Sequence, residues 1–499
     1  MGVTRFLIFP EEVLTDWPEV FRAYISGLDG RVSPTRVELS GHVMTCRRNT
    51  SDSGKLHVAW PVPGFGRPVL GTSSLPEREQ PFLLPVELAR GTIAEIREQL
   101  AAWELGGMRI PSSFRPLHRE AQRVFSHAAA CQDQPEESCR FAGEAIVQAC
   151  RAAQRLVQSY TEQRLIVRRR KSNQLPASLG CGLGHALPQD VSPELFCRAF
   201  NAAVVPVRWR DIEPIEGRYH WERNDAQVDW CEEHKLLITG GPLVDLSPNG
   251  MPAWLWRWEA DYLNLQSFFN DFVETAMSRY AGRIRHWEVS AHVNTGGALG
   301  LSEEHRLTLA ARTLEAVAHV DPAGELSIRI DEPWGDYQAR GQHRLSPYQF
   351  VDALVRAGVG LTCVNLEFAV GYRPRGSAPR DVLEFSRLID FWSRLGLPLC
   401  VTLAVPSAPH DAPHDDPQAQ TELDVDGNLW GGRDAETAQA EWIDQYLPLL
   451  LAKDTVVGIV WSHFTDAAGH DFPHAGLLRG DGSPKPALQH LVSYLEKHW

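Results

Sequence analysis

His286-Trp-Glu-Val-Ser-Ala-His292 and Pro398-Leu-Cys-Val-Thr-Leu-Ala-Val405 are short, mostly apolar runs. Runs of that length without strict alternation fit strands buried on both faces, as in a parallel sheet. They belong to a series of eight: Ser178 to Gly184, Ala203 to Trp209, Leu236 to Val244, Ile284 to Ala291, Leu326 to Asp331, Leu361 to Glu367, Leu397 to Ala404, and Val456 to Trp461. An amphipathic helical segment follows each. Eight strand and helix units in succession predict an α/β fold, a (β/α)8 TIM barrel over residues 176–499. Reactive groups then belong where each strand ends, at the C-terminal mouth.

Working outward, residues 1–85 alternate apolar and polar positions in short runs such as Leu56-His-Val-Ala-Trp60, broken by turns such as Pro61-Val-Pro-Gly-Phe-Gly66. This is the pattern of a small β-rich module. From Val86 the period changes, and Leu88, Ile93, Ile96, Leu100 and Trp103 fall on one helical face. Residues 86–171 therefore read as a helical connector, with one or two further helices between Glu120 and Arg164. Arg168-Arg-Arg-Lys171 reads as a solvated basic hinge before the barrel.

The composition bounds the function. Apolar residues make up 43% and charged residues 22%, an ordinary globular balance, and a net charge of -14 argues against nucleic acid or an anionic membrane surface as the main partner. The start of the chain lacks the apolar length of a signal peptide, and no later window gives a membrane helix. Nine cysteines without CxxC spacing read as reduced core residues. A cytoplasmic protein is the expectation. No Ser nucleophile motif, P-loop or dinucleotide fingerprint is present, and no cofactor or metal is expected.

Several segments carry a resemblance: Phe200-Asn-Ala-Ala-Val-Val-Pro-Val-Arg-Trp-Arg-Asp-Ile-Glu-Pro214 with Glu216-Gly-Arg-Tyr-His-Trp221, the Trp287-Glu-Val289 strand, Asp321-Pro322, and Gly458-Ile-Val-Trp461 through Ala475-Gly-Leu-Leu478 and Asp481-Gly-Ser-Pro-Lys-Pro486. Over residues 176–499 the chain resembles family 10 glycoside hydrolases, best known as endo-β-1,4-xylanases. The resemblance implies a carbohydrate ligand and hydrolysis of a glycosidic bond. It also implies catalytic glutamates after the fourth and seventh strands, where Ala291-His292 and Leu403 stand instead, and a His on the third strand, where Gly241 stands. Of the family's second-strand sugar-gripping run, only Arg208 and Trp209 have counterparts. Xylan is therefore not implied as the substrate.

Retaining hydrolysis needs two carboxyl groups about 5 to 5.5 Å apart. Replacements are available: the fifth strand ends in Asp331, with Asp336 close behind, and Glu367 interrupts the sixth. Glu367, Asp331 and Asp336 are the candidate catalytic acids, with Arg329 or Arg373 as charge partners. A buried Arg-carboxylate network that fixes the loops accounts for the same residues equally well. The candidate ligand-binding residues are Trp461, Trp334, Trp430, Arg208, His292, Tyr372 and Asp466, since flat rings stack on sugars and polar groups at strand ends meet hydroxyls. Pro406 to Ala440 reads as a lid, and His410, His414 and Asp416 within it as a solvated loop rather than a metal site. Two functions follow: a divergent glycoside hydrolase with relocated carboxylates, or an inactive pseudo-glycosidase that binds carbohydrate or serves as an interaction protein.

Overall fold

The computed structural model describes residues 2–171, 177–186, 190–341, 343–408, 423–427, 429–467 and 470–498. The N-terminal residues form two small sheets. One has the order β4-β5-β1-β8, from β1 (Gly2–Leu7), β4 (Arg36–Ser40), β5 (Val43–Arg48) and β8 (Phe82–Leu83). The other has the order β3-β2-β6-β7, from β2 (Tyr24–Ser26), β3 (Val32–Ser33), β6 (Lys55–Ala59) and β7 (Val69–Gly71). Alternation buries Phe6, Met44, Cys46, Leu56 and Val58 between them, as the sequence predicts for a β-rich module.

The connector consists of α1 (Leu84–Leu105), α2 (Phe114–Ala130) and α3 (Pro135–Lys171). Leu84, Val86, Leu88, Ala142, Ala145 and Ile146 pack into the module's core. Farther along the same helices, Ile96, Trp103, Ala149, Ala153 and Leu156 pack into the barrel's core. The basic run is solvated at Arg169, Arg170 and Lys171 but is helical rather than a hinge. It is the last turn of α3, and Arg168 is buried, donating 2.5 and 2.9 Å hydrogen bonds to the carbonyls of Leu451 and Lys453. A guanidinium with five donors satisfies carbonyls that would otherwise be left without partners.

The barrel strands are β9 (Ser178–Gly182), β10 (Ala202–Val205), β11 (Leu237–Gly240), β13 (His286–Ala291), β14 (Glu325–Ile330), β15 (Cys363–Ala369), β17 (Leu399–Ala404) and β19 (Val456–Trp461). All eight pair in parallel in chain order, β11 with β13 through Thr239↔His286, and the ring closes through Gly458↔Ser178 between β19 and β9. All eight predicted strands are present. A short β12 (Val244–Asp245) extends the β11 connection alongside β13, and β16 (Tyr372–Arg373) pairs with β18 (Asp424–Val425) beyond the mouth.

Helices return the chain after each strand: α4 (Pro193–Ala199), α6 (Glu222–Glu233) after the single turn α5 (Trp209–Ile212), α7 (Tyr262–Arg279), α8 (Glu303–Val320), α9 (Pro347–Ala357), α10 (Val382–Trp392), α11 (Ala435–Ala452) and α12 (Pro486–His498). Several starts are fixed by side-chain caps, including a reciprocal Ser346 and Gln349 capping box on α9 and an Asp381 cap on α10. No helix among the described residues is long and apolar enough to cross a membrane.

Candidate active site at the barrel mouth

Side chains two apart on a strand share a face. This aligns Asn365 with Glu367 on β15 and places Glu288 on β13, Arg329 on β14 and Thr402 on β17, where these groups meet inside the barrel. Arg329 lies 2.5 Å from Glu288 and 3.1 Å from Glu367. Asn365 donates a 2.5 Å hydrogen bond to Glu288 and accepts a 3.0 Å bond from Thr402. Arg329, Glu367 and Thr402 of this network line a cavity, partly open to solvent, at the C-terminal ends of the strands.

Around the rim stand Arg208, Asp245, His292, Asp331, Glu332, Arg375, His463, His470 and Asp471. His292 Nδ1 is 2.7 Å from Asp245, and its Nε2 is 3.9 Å from Glu367. Burial works against an imidazolium here, yet Asp245 and Asp331 outweigh it and push the His292 pKa up to about 10. Burial likewise opposes ionisation of Asp245, but His292 holds that carboxyl well below its usual range. For Glu367, burial pushes the carboxyl up, with Arg329 and then His292 pulling against the shift. Asp331 accepts a 2.6 Å bond from Thr295, and its second oxygen is buried with no hydrogen-bond partner among the described residues.

The structure brings together Glu367, Asp331, His292 and Arg208 of the sequence-predicted residues. Arg208 is braced at 2.5 Å by Asp471. It separates Asp336, which is bound at 2.7 and 2.9 Å by the buried Arg380 and so faces Tyr24 of the N-terminal module instead of the mouth. Its spacing from Asp331 put it near the strand end, but the intervening turn carries it away. Trp334 and Trp430 line a different cavity, between the connector and the barrel, together with Trp442 and Tyr446. Trp461 and Tyr372 are fully buried, their polar atoms donating 2.7 Å bonds to the carbonyls of Ala475 and Pro473. None of these four rings is offered to a ligand at the mouth, because each fills core or junction volume that a smaller residue would leave empty. Arg373 pairs with Asp426 and is not a partner of Glu367.

Asp466 is buried too. Its oxygens face the Lys485 ammonium at 2.5 Å, the Gly476 amide at 2.7 Å and His463 at 3.3 Å. His463 and His470 stack at 4.3 Å, and with Asp466 they form the one group among the described residues close enough to hold a metal ion. Lys485 already supplies the positive charge to that carboxylate. Burial, with His463 adding, pushes the His470 ring down to about 3, so it is a neutral wall of the mouth. His410, His414 and Asp416 lie outside the described residues.

The positions after the fourth and seventh strands are also defined. His292 lies at the rim, while Leu403 is buried. Gly241 has φ +130°, and a Cβ there would stand 2.3 Å from the Glu288 carbonyl oxygen, so no side chain fits where a family His is expected. Sequence reasoning missed Asp245, Glu288, Glu332, Asp471 and His470. Asp245 lies one residue beyond the predicted third strand, and its paired β12 continuation is the signal that could have found it.

Residues 178–300 match the family model described as Glycosyl hydrolase family 10. The barrel is similar to those of glycosyl hydrolase family 10. Among curated relatives, endo-1,4-beta-xylanase B of Thermotoga neapolitana is 24% identical over 200 residues, covering 39% of this chain and 55% of that protein. Endo-1,4-beta-xylanase 2 of Claviceps purpurea is 35% identical over 77 residues, covering 15% and 23%. The chain thus matches about half the length of the first of these xylanases. Native xylanase 10B from Thermotoga maritima, a solved structure, is 18% identical with a TM-score of 0.49, covering 66% of this chain and 98% of that one.

Proposed function

We propose that the barrel mouth binds a carbohydrate and hydrolyses a glycosidic bond, using carboxylates that stand just after β14 and on β15 in place of the family's glutamates. The observation that carries this reading is the convergence of Glu367, Asp331 and His292 on one cavity at the C-terminal end of a glycosyl hydrolase family 10-like barrel. Glycoside cleavage needs one carboxyl to protonate the departing oxygen and a second, ionised, to act at the anomeric carbon or on the attacking water. Arg329 and His292 supply cationic partners for the ionised form of Glu367. The acid then comes from the turn that follows β14, where Asp331 and Glu332 both open onto the cavity. His292 and Arg208 bind substrate hydroxyls.

A second reading, carbohydrate binding without turnover, draws on the Arg329 bridge itself. A glutamate tied to Arg329, which is also held by Glu288, can be a structural anion. A release assay on a panel of aryl glycosides and oligosaccharides, with the wild type and Glu367→Gln, separates the two. Turnover that vanishes in a normally folded variant supports hydrolysis. Saturable sugar binding with no turnover on any substrate supports the binding protein.

A further inference from the structure

Glu332 holds an unusual position. Among the described residues only five non-glycines have a positive φ, and two of them, His292 (φ 54°) and Glu332 (φ 44°), follow adjacent barrel strands and line the mouth. The left-handed region is costly for a residue with a Cβ, and glycine would remove the cost. Strain of this kind collects where a side chain is needed in a particular place.

The surroundings of Glu332 differ from those of Glu367 in one decisive respect. Glu367 has Arg329 within hydrogen-bond distance and His292 beyond it, whereas no hydrogen bond or ion pair reaches the Glu332 carboxyl among the described residues. Among the charged groups that act on it, the acids Asp331, next in the chain, and Asp336, already held by Arg380, favour its neutral form. Two cations act in the opposite direction, Arg22 of the N-terminal module and Arg340 of the following turn, neither within ion-pair distance. Glu332 is 9% exposed and opens onto the cavity.

Resting on the hydrolase reading, we propose that Glu332, which opens onto the cavity just after β14, is the proton donor of the mouth. The two catalytic carboxyls are then Glu332, with no ion pair among the described residues, and Glu367, paired with Arg329, a difference that favours the neutral form of the first and the ionised form of the second. In the step itself the Glu332 carboxyl gives its proton to the glycosidic oxygen as the bond from that oxygen to the anomeric carbon breaks. The electron pair leaves with the oxygen, which departs as an alcohol. Water adds its hydroxyl to the anomeric carbon and passes its other proton to Glu367, and exchange with solvent resets both groups. Burial, reinforced by Asp331 and Asp336, holds the Glu332 carboxyl well above its usual range, against the pull of Arg22 and Arg340.

The test compares the full-length wild type, Glu332→Gln and Arg22→Gln on two kinds of glycoside, one with a nitrophenolate leaving group that departs unaided and one with a sugar alcohol that needs a proton. Glu332→Gln is expected to lose about 100-fold or more on the second and much less on the first. A merely structural role would slow both alike, and that result overturns the assignment. Arg22→Gln removes a cation that favours the ionised carboxyl, so the basic limb of the pH profile should move to higher pH, and an unmoved limb counts against the proposal. Infrared difference spectra at neutral pH should show a protonated carboxyl band in the wild type that is missing from Glu332→Gln, and its presence in both overturns the proposal whether or not the variant turns over. A wild type inert on every glycoside overturns the hydrolase reading itself. An active wild type whose Glu332→Gln variant keeps its full rate overturns only the assignment of Glu332.

Discussion

His292 Nδ1 lies 2.7 Å from Asp245, so the ends of β13 and β12 are joined by a charged hydrogen bond at the rim of the mouth. His292 titrates near 10 in the folded chain against 6.5 for a free ring. Its contribution to stability is complete below pH 6.5 and is lost as pH rises through about 10. Wild type should therefore lose thermal stability between those limits relative to His292→Gln, by up to about 5 kcal/mol. Melting curves at several pH values on both proteins check this. Parallel curves would remove the ion pair from the account.

Glu367→Gln keeps the shape of the side chain and leaves Arg329 paired with Glu288. The variant should fold and bind sugar while turnover falls by about 100-fold or more. Isothermal binding and product release on the same preparation measure the two effects separately.

Asp336 holds Arg380, whose side chain is only 2% exposed, and Arg380 in turn bonds the Tyr24 hydroxyl at 3.0 Å. Asp336→Ala would leave a buried guanidinium without its carboxylate and should destabilise the protein by about 3 to 5 kcal/mol. Tyr24→Phe removes one bond to a charged group and should cost about 1.5 to 3 kcal/mol. Chemical denaturation of the two variants gives the comparison, and equal losses would contradict the central place of Arg380.

Asp466 and Lys485 are each 2% exposed and 2.5 Å apart. Burial opposes ionisation of Asp466, but His463 and Lys485 hold its pKa below the ordinary 3.8, so its stabilising effect is present above that value and disappears as pH falls through the lower folded one. Lys485→Met should cost about 3 to 5 kcal/mol and move the onset of acid unfolding to higher pH. Acid titration followed by circular dichroism reads both.

The barrel was legible because its strands are buried on both faces and stand out as apolar runs, from Ser178 to Trp461. Glu367 and Asp331 were legible for the complementary reason, as charges that interrupt such runs. Which way a side chain turns after the strand ends is decided by tertiary contacts, and there the sequence was silent. Asp336 turns toward Arg380, and Trp334 toward the connector. Arg329 could be named as a partner for Glu367, but its simultaneous hold on Glu288 needed the barrel to close. Arg168 looked solvated because it sits in a run of basic residues, although carbonyls at the C-terminal end of α11 and just beyond it receive its donors.

The connector helices give one part of their length to the module's interior and the next part to the barrel's. A cut placed just after Lys171 would strip Ile96, Trp103 and Leu156 from the barrel and expose the wall they cover. The chain should accordingly melt in one transition, and a barrel expressed alone should be insoluble unless α1 to α3 travel with it. Those helices in turn bring Leu84, Leu88 and Ile146, which need the sheets. For anyone seeking a minimal catalytic fragment, the smallest piece that keeps every apolar face covered is nearly the whole chain.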